Sequence, residues 1–90
     1  IYLAGHVPRI DQSLCESNIL VDIRTKDEMR DEPSAFSALH IEALKLAKKP
    51  QDFLEKKLQY LMLCSSGKRS KKLCTDLLKA GYKVTACRLN

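Results

Sequence analysis

Tyr60-Leu61-Met62-Leu63-Cys64-Ser65-Ser66-Gly67-Lys68-Arg69-Ser70 decides the architecture. An apolar run ends on a cysteine, a short glycine-containing turn follows, and a segment of helical period opens at Ser70. The pattern predicts a buried strand over Tyr60 to Cys64 and a helix from Ser70 whose apolar face is Leu73, Leu77 and Leu78. Gly81 supplies the stop. A cysteine in such a turn sits where successive backbone N–H groups converge and a helix N-terminus adds positive potential. Both favour the thiolate, the nucleophilic form of the side chain.

Working outward, Asn18-Ile19-Leu20-Val21-Asp22-Ile23 is nearly continuously apolar and β-branched, as a strand buried on both faces requires. Thr25 offers an N-cap with Glu28 three residues on, a capping box, and the short helix that follows must stop before Pro33. Ser34 to Ala38 reads as loop. Leu39-His40-Ile41-Glu42-Ala43-Leu44 reads as a second strand. Pro50 suits the first turn of a helix running through Phe53, Leu54 and Leu58, with Lys56 and Lys57 late in it. Lys83-Val84-Thr85-Ala86-Cys87 alternates with period two and predicts a last strand. The alternation predicts an α/β domain over 1–90, three layers α/β/α, with a mainly parallel sheet of four to five strands. Ligands of such sheets bind beyond the carboxyl ends of the strands, where Cys64 stands.

Composition narrows the function classes. The chain is 44% hydrophobic and 30% charged, with a net charge of +5 and a pI near 9.1, so its partners are expected to be anionic. No run is long enough to span a bilayer and no signal peptide is visible, which predicts a cytoplasmic protein with no membrane partner. Cys15, Cys64, Cys74 and Cys87 lack zinc-site spacing and are expected to be free thiols, with no cofactor implied. The start at Ile1 rather than Met suggests an excised domain or a trimmed product. Five aromatic residues, Tyr2, Phe36, Phe53, Tyr60 and Tyr82, do not interleave with the bases as a nucleic-acid stacking platform would. His6 has no chemical partner in view, and His40 reads as a candidate base or as an outward-pointing strand residue.

Cys64-x-x-Gly67-x-Arg69-Ser70, with the helix ending Lys79-Ala80-Gly81-Tyr82, resembles the active-site loop of the rhodanese family of sulfurtransferases. Val21-Asp22-Ile23-Arg24 followed by Glu28 resembles that family's Asp-x-Arg strand end and the acid after it. Two departures, Leu39-His40-Ile41-Glu42-Ala43 in place of a Gly-His-Ile-Pro-Gly-Ala motif and an end at Arg88-Leu89-Asn90, make the chain similar to the rhodanese domain ending tRNA 4-thiouridine synthetases. The resemblance implies that Cys64 carries sulfane sulfur as a persulfide. The donor would be thiosulfate or a cysteine desulfurase persulfide. The acceptor would be thiophilic, a tRNA or a sulfur-carrier protein, in tRNA thiolation or thiamine biosynthesis. The alternative is a catalytically silent rhodanese-like protein-interaction module.

In the sulfur-transfer reading, the amides of Ser65, Ser66, Gly67, Lys68, Arg69 and Ser70 would hold the persulfide, with the three serine hydroxyls as further donors. Cysteine phosphatases use a longer loop; here only Ser65, Ser66, Gly67 and Lys68 separate Cys64 from Arg69, a cradle sized for one sulfur. Lys68, Arg69, Lys71 and Lys72 attract an anionic donor or tRNA phosphates, or form a solvated helix face. Asp22 and Arg24 are supporting residues, with Arg69 expected to pair with Asp22 beneath the loop.

Overall fold

A computed structural model describes residues 7–90, so His6 and Tyr2 lie outside the described residues. In chain order the elements are α1 (Gln12–Ser17), β1 (Ile19–Asp22), α2 (Lys26–Asp31), β2 (Leu39–His40), α3 (Ala43–Lys48), β3 (Gln59–Cys64), α4 (Lys68–Lys79) and β4 (Lys83–Arg88), with a 3-10 turn at Pro50–Asp52 before β3. The four strands form one sheet in the order β2-β1-β3-β4, every neighbouring pair parallel. A single parallel bridge from Arg9 to Arg88 extends it beyond β4, tied by Ile10 N–H to the Arg88 carbonyl at 2.8 Å and Arg88 N–H to that of Pro8 at 2.9 Å.

Strand period divides the core between the two faces of this sheet. Val21, Ile23, Tyr60, Met62, Cys64, Val84 and Ala86 join Leu46, Leu54, Leu73, Cys74 and Leu77 in the larger cluster. Leu20, Leu61, Leu63 and Cys87 join Ile10 in the smaller one, with Leu14 and Cys15 of α1 packed against it. The three layers are therefore unequal: α3 and α4 cover one face and α1 part of the other. Because β1 neighbours both β2 and β3, the chain reverses its winding direction there, and the ends of β1 and β3 lie side by side at the rim. Asp22 is in register with Leu63.

The ends of α2 and α4 follow their local signals. The Thr25–Glu28 capping box forms. At the end of α4, Tyr82 N–H bonds to the Leu77 carbonyl at 3.0 Å and Gly81 N–H to that of Leu78 at 3.1 Å, a Schellman closure in which Gly81 takes φ +97°.

Three segments differ from the sequence expectation. The strand expected over Leu39 to Leu44 stops at His40, and Ala43–Lys48 is helical instead. Its Leu44/Leu46 alternation imitates a strand, but the segment is built of strong helix formers, and Lys45 and Leu46 both donate to the Glu42 carbonyl at 3.1 Å. Only Leu46 turns fully inward. The helix expected from Pro50 through Leu58 is cut to a 3-10 turn. The Glu55 N–H donates to the Tyr60 hydroxyl at 2.9 Å rather than to a carbonyl one turn back, so tertiary packing ends the helix. Finally, α1 had no counterpart in the sequence reading; its signal is Asp11, whose carboxylate accepts the Leu14 N–H at 2.9 Å.

Leu46 is completely buried, and it anchors α3 to the sheet. Leu46→Ala is expected to lower the unfolding free energy by about 2–4 kcal/mol, measured as a drop in the urea midpoint at unchanged slope.

Candidate active site

The site lies at the carboxyl rim of the sheet, where β3 passes into α4. Cys64 ends β3 and has no exposed surface. Its Sγ accepts the Gly67 N–H at 3.1 Å and the Ser70 N–H at 3.4 Å. Gly67 is the N-cap of α4 and offers no side chain, so the sulfur takes the place that a serine or aspartate oxygen fills at other helix starts. The first-turn N–H groups of Lys68 and Arg69 have no intrahelical acceptor. They lie between the two that already meet the sulfur.

The Ser70 hydroxyl completes the surroundings of the sulfur. Ser70 Oγ is 3.4 Å from Cys64 Sγ and 3.0 Å from the Cys87 carbonyl, to which it donates. One hydroxyl has one proton. With that proton on Cys87, Ser70 accepts the Cys64 S–H; rotated, it donates to a sulfur anion.

The loop is fixed from behind. The Cys64 and Ser65 carbonyls accept the N–H groups of Leu89 at 2.9 Å and Asn90 at 3.1 Å. Gly67 adopts φ +89°, and a Cβ there would meet Val7 Cγ1 at 3.1 Å and Arg88 Cβ at 3.3 Å. Two independent constraints therefore demand glycine: backbone sign and the closeness of the N-terminal segment.

Of the residues singled out in the sequence, Gly67 and Ser70 converge on the Cys64 sulfur and the others do not. The Ser65 hydroxyl turns to Glu28 Oε2 at 3.4 Å, and Ser66 and Lys68 are exposed. The expected Arg69–Asp22 pair is absent. Arg69 instead makes a two-pronged ion pair with Glu28, both bonds 2.6 Å, because Glu28 is already aimed at the loop by the capping box. Arg69 holds the Glu28 carboxyl down at about 2, aided by the Thr25 N–H and against some desolvation. The Arg69 guanidinium is raised in return, chiefly by its bond to Glu28.

Asp22 is taken by Arg24. The two side chains, 1% and 0% exposed, meet at 2.9 Å, with Arg24 Nε 3.0 Å from Asp22 Oδ1 and Arg24 Nη1 donating to the Glu32 carbonyl at 2.7 Å. The Asp22 hydrogen bond raises the guanidinium despite its burial. His40 Nε2 lies 2.7 Å from the Arg24 carbonyl. These residues brace the rim beside Cys64 and do not reach its sulfur. No buried side-chain nitrogen or oxygen among the described residues lacks a partner.

The other cysteines are free. Cys74 is buried on the core face of α4. Cys87, on the opposite face of the sheet from Cys64, has its thiol pushed up by burial. Cys15 is half-buried and likewise raised, mainly by desolvation. Among the described residues no group of three or more His, Cys, Asp or Glu could hold a metal ion, and no helix is long and apolar enough to cross a membrane. The residues that sequence reasoning missed are Val7, which closes on Gly67, and Glu28 in its role as the partner of Arg69. Val7 carries no local signal; Glu28 stands in the quoted pattern, but its partner is 41 positions away.

Gly67→Ala is expected to cost about 1–3 kcal/mol in urea denaturation. Gly81→Ala should cost less, because the nearest atoms there are the flexible end of Lys56 at 3.7 Å or more. The Glu28–Arg69 pair makes a second prediction. A carboxyl held below its ordinary 4.5 contributes its stability fully above that value and loses it as the pH falls toward about 2. The side chains are 32% and 41% exposed, so the contribution is screened and stays below about 1 kcal/mol. Glu28→Gln should lower the urea midpoint at neutral pH and flatten its decline across that acid window.

No protein-family model matches the sequence and no curated protein matches it. Among solved structures, the chain is similar to a rhodanese-related protein from Thermoplasma volcanium. That structure superposes with a TM-score of 0.71 at 20% sequence identity, covering 84% of this chain and 74% of the other. At that identity the likeness speaks for the fold: this is a rhodanese-like α/β domain with an all-parallel four-stranded sheet.

Proposed function

We propose that this domain is a rhodanese-type sulfurtransferase that carries sulfane sulfur on Cys64. The observation that carries the reading is the sulfur at the head of α4, with the Gly67 and Ser70 N–H groups aimed at it and the Lys68 and Arg69 amides, which have no intrahelical acceptor, in the same turn. N–H donors aimed at a sulfur hold negative charge on it, in the persulfide as in the thiolate.

The chemistry is two displacements. With thiosulfate, the Cys64 sulfur anion attacks the outer sulfur. The S–S bond of the donor breaks, its electron pair leaves on sulfite, and Cys64 holds a persulfide anion. A nucleophilic acceptor then attacks the terminal sulfur, and the electron pair of the Cys64 S–S bond returns to Cys64 as the thiolate. A desulfurase persulfide enters by the same first step, releasing its own cysteine thiolate. The resemblance to the domain of tRNA 4-thiouridine synthetases points to tRNA thiolation or thiamine biosynthesis as the use of that sulfur. Arg69 is held by Glu28 rather than set over the loop, which favours this chemistry over a phosphatase, whose arginine grips the phosphate.

One observation favours the second reading, a silent interaction module: Cys64 has no exposed surface. In an active domain the turn over Ser65 and Ser66 must shift to admit a donor.

The two readings separate in one measurement. After incubation with thiosulfate, or with a cysteine desulfurase and cysteine, intact-mass and peptide spectra are expected to show one added sulfur on the Cys64 peptide. Dithiothreitol should remove it, and Cys64→Ser should not acquire it. Absence of the added sulfur with both donors, in folded protein, would favour the silent module.

A further inference from the structure

A groove runs along one flank of the site, between α3 and α4. Its volume is about 350 Å³ and its floor is apolar, formed by Ile23, Ala43, Ala47 and Leu73, with Glu42 on the α3 side and Arg69, Lys72 and Asp76 along the α4 edge. It does not contain Cys64, but Arg69 belongs to both the groove and the loop. At the low end of ligand-pocket volumes, it has room for one large side chain. Leu44 is 78% exposed, an apolar residue displayed at the groove's edge.

The surface next to this groove is basic. Lys72 and Asp76 also line a shallow pocket with Lys68, Lys71 and Thr75, so groove and basic edge form one continuous surface. Lys68, Lys71 and Lys72 recur at helical spacing on one side of α4, and among the described residues none makes an ion pair. The placement opposes local stability. A helix start favours acids, yet the first turn of α4 has none and carries Lys68, Arg69 and Lys71 instead. An anionic partner offsets that cost; an isolated domain has no use for it.

We propose that this surface docks an acidic protein partner, which inserts one apolar side chain into the α3–α4 groove and sets carboxylates against Lys68, Lys71 and Lys72. An apolar centre with a charged rim is the anatomy of a protein interface. A phosphate backbone gains nothing from the apolar floor, and no aromatic residue lines the groove or the basic edge to stack a base. The inference rests on the sulfur-transfer reading only for what the partner exchanges with Cys64; docking itself does not need that chemistry.

The test uses binding, so its failure is distinct from failure of sulfur loading. The probes are a fluorescent peptide with leucine between two pairs of acidic residues, the same peptide with serine for leucine, a basic counterpart, and single-stranded and duplex RNA. Affinity is read by anisotropy and the site by amide NMR on the whole chain. The acidic leucine peptide is expected to bind, shifting amides in 43–47 and 68–76, with or without prior incubation of the protein with thiosulfate. Lys71→Glu with Lys72→Glu should weaken it about tenfold or more, and Leu44→Ser or the serine peptide several-fold. Leu44 and Lys72 are exposed and Lys71 is half-buried, and the NMR spectra report whether each variant folds. No binding, binding indifferent to the leucine, shifts elsewhere, or tighter binding of either RNA on the same surface would overturn the proposal.

Discussion

The contact between the Cys64 sulfur and the first turn of α4 organises the functional end of the molecule. The sulfur caps the helix through Gly67 and Ser70, so the group proposed to react also fastens β3 to α4. The start of the helix therefore depends on the state of that sulfur. Charge on the sulfur strengthens the cap, and the charged forms of the proposed cycle, thiolate and persulfide, are the ones α4 holds best.

The rest of the rim keeps this contact in place by dividing its charges. Arg24 neutralises Asp22 inside the protein, and Arg69 meets Glu28 at the surface. Neither pair crosses over. Asp22 and Arg24 are two residues apart at the end of β1 and close on each other. Glu28 is turned toward the loop by the Thr25 cap before Arg69 arrives. With these four charges paired off, Lys68, Lys71 and Lys72 in the first turns of α4 make no ion pair among the described residues, and Lys72 borders the α3–α4 groove. The surface thus carries positive charge beside the loop without placing a free guanidinium over the sulfur.

Burial gives the loop a second property. The Cys64 sulfur is covered by a turn whose glycine is pinned between Val7 and Arg88, and whose carbonyls are held by the last two residues. A thiol closed off in this way is protected from indiscriminate oxidation, since susceptibility follows exposure. The same closure means that access depends on movement of Ser65 and Ser66, which are more exposed than their neighbours in the loop's base.

Much of this was legible in the sequence because its signals are local. The apolar runs from Ile19 and from Tyr60, the cysteine-to-glycine turn, the Thr25–Glu28 box, the Gly81 stop and the alternation after Lys83 each act within a few residues and specify β1, α2, β3, α4 and β4. They also place Cys64 at the sheet rim beside a helix start. Tertiary structure decided the rest, because those outcomes turn on which of several candidate partners packing brings together. The Tyr60 hydroxyl claims the Glu55 N–H and shortens a helix; Leu46, beyond the expected strand of Leu39 to Leu44, docks α3 on the sheet. Arg69 takes Glu28 and leaves Asp22 to Arg24, and Val7 closes on Gly67. A pattern of residue types states which groups seek a partner, but which partner each one meets is settled by packing.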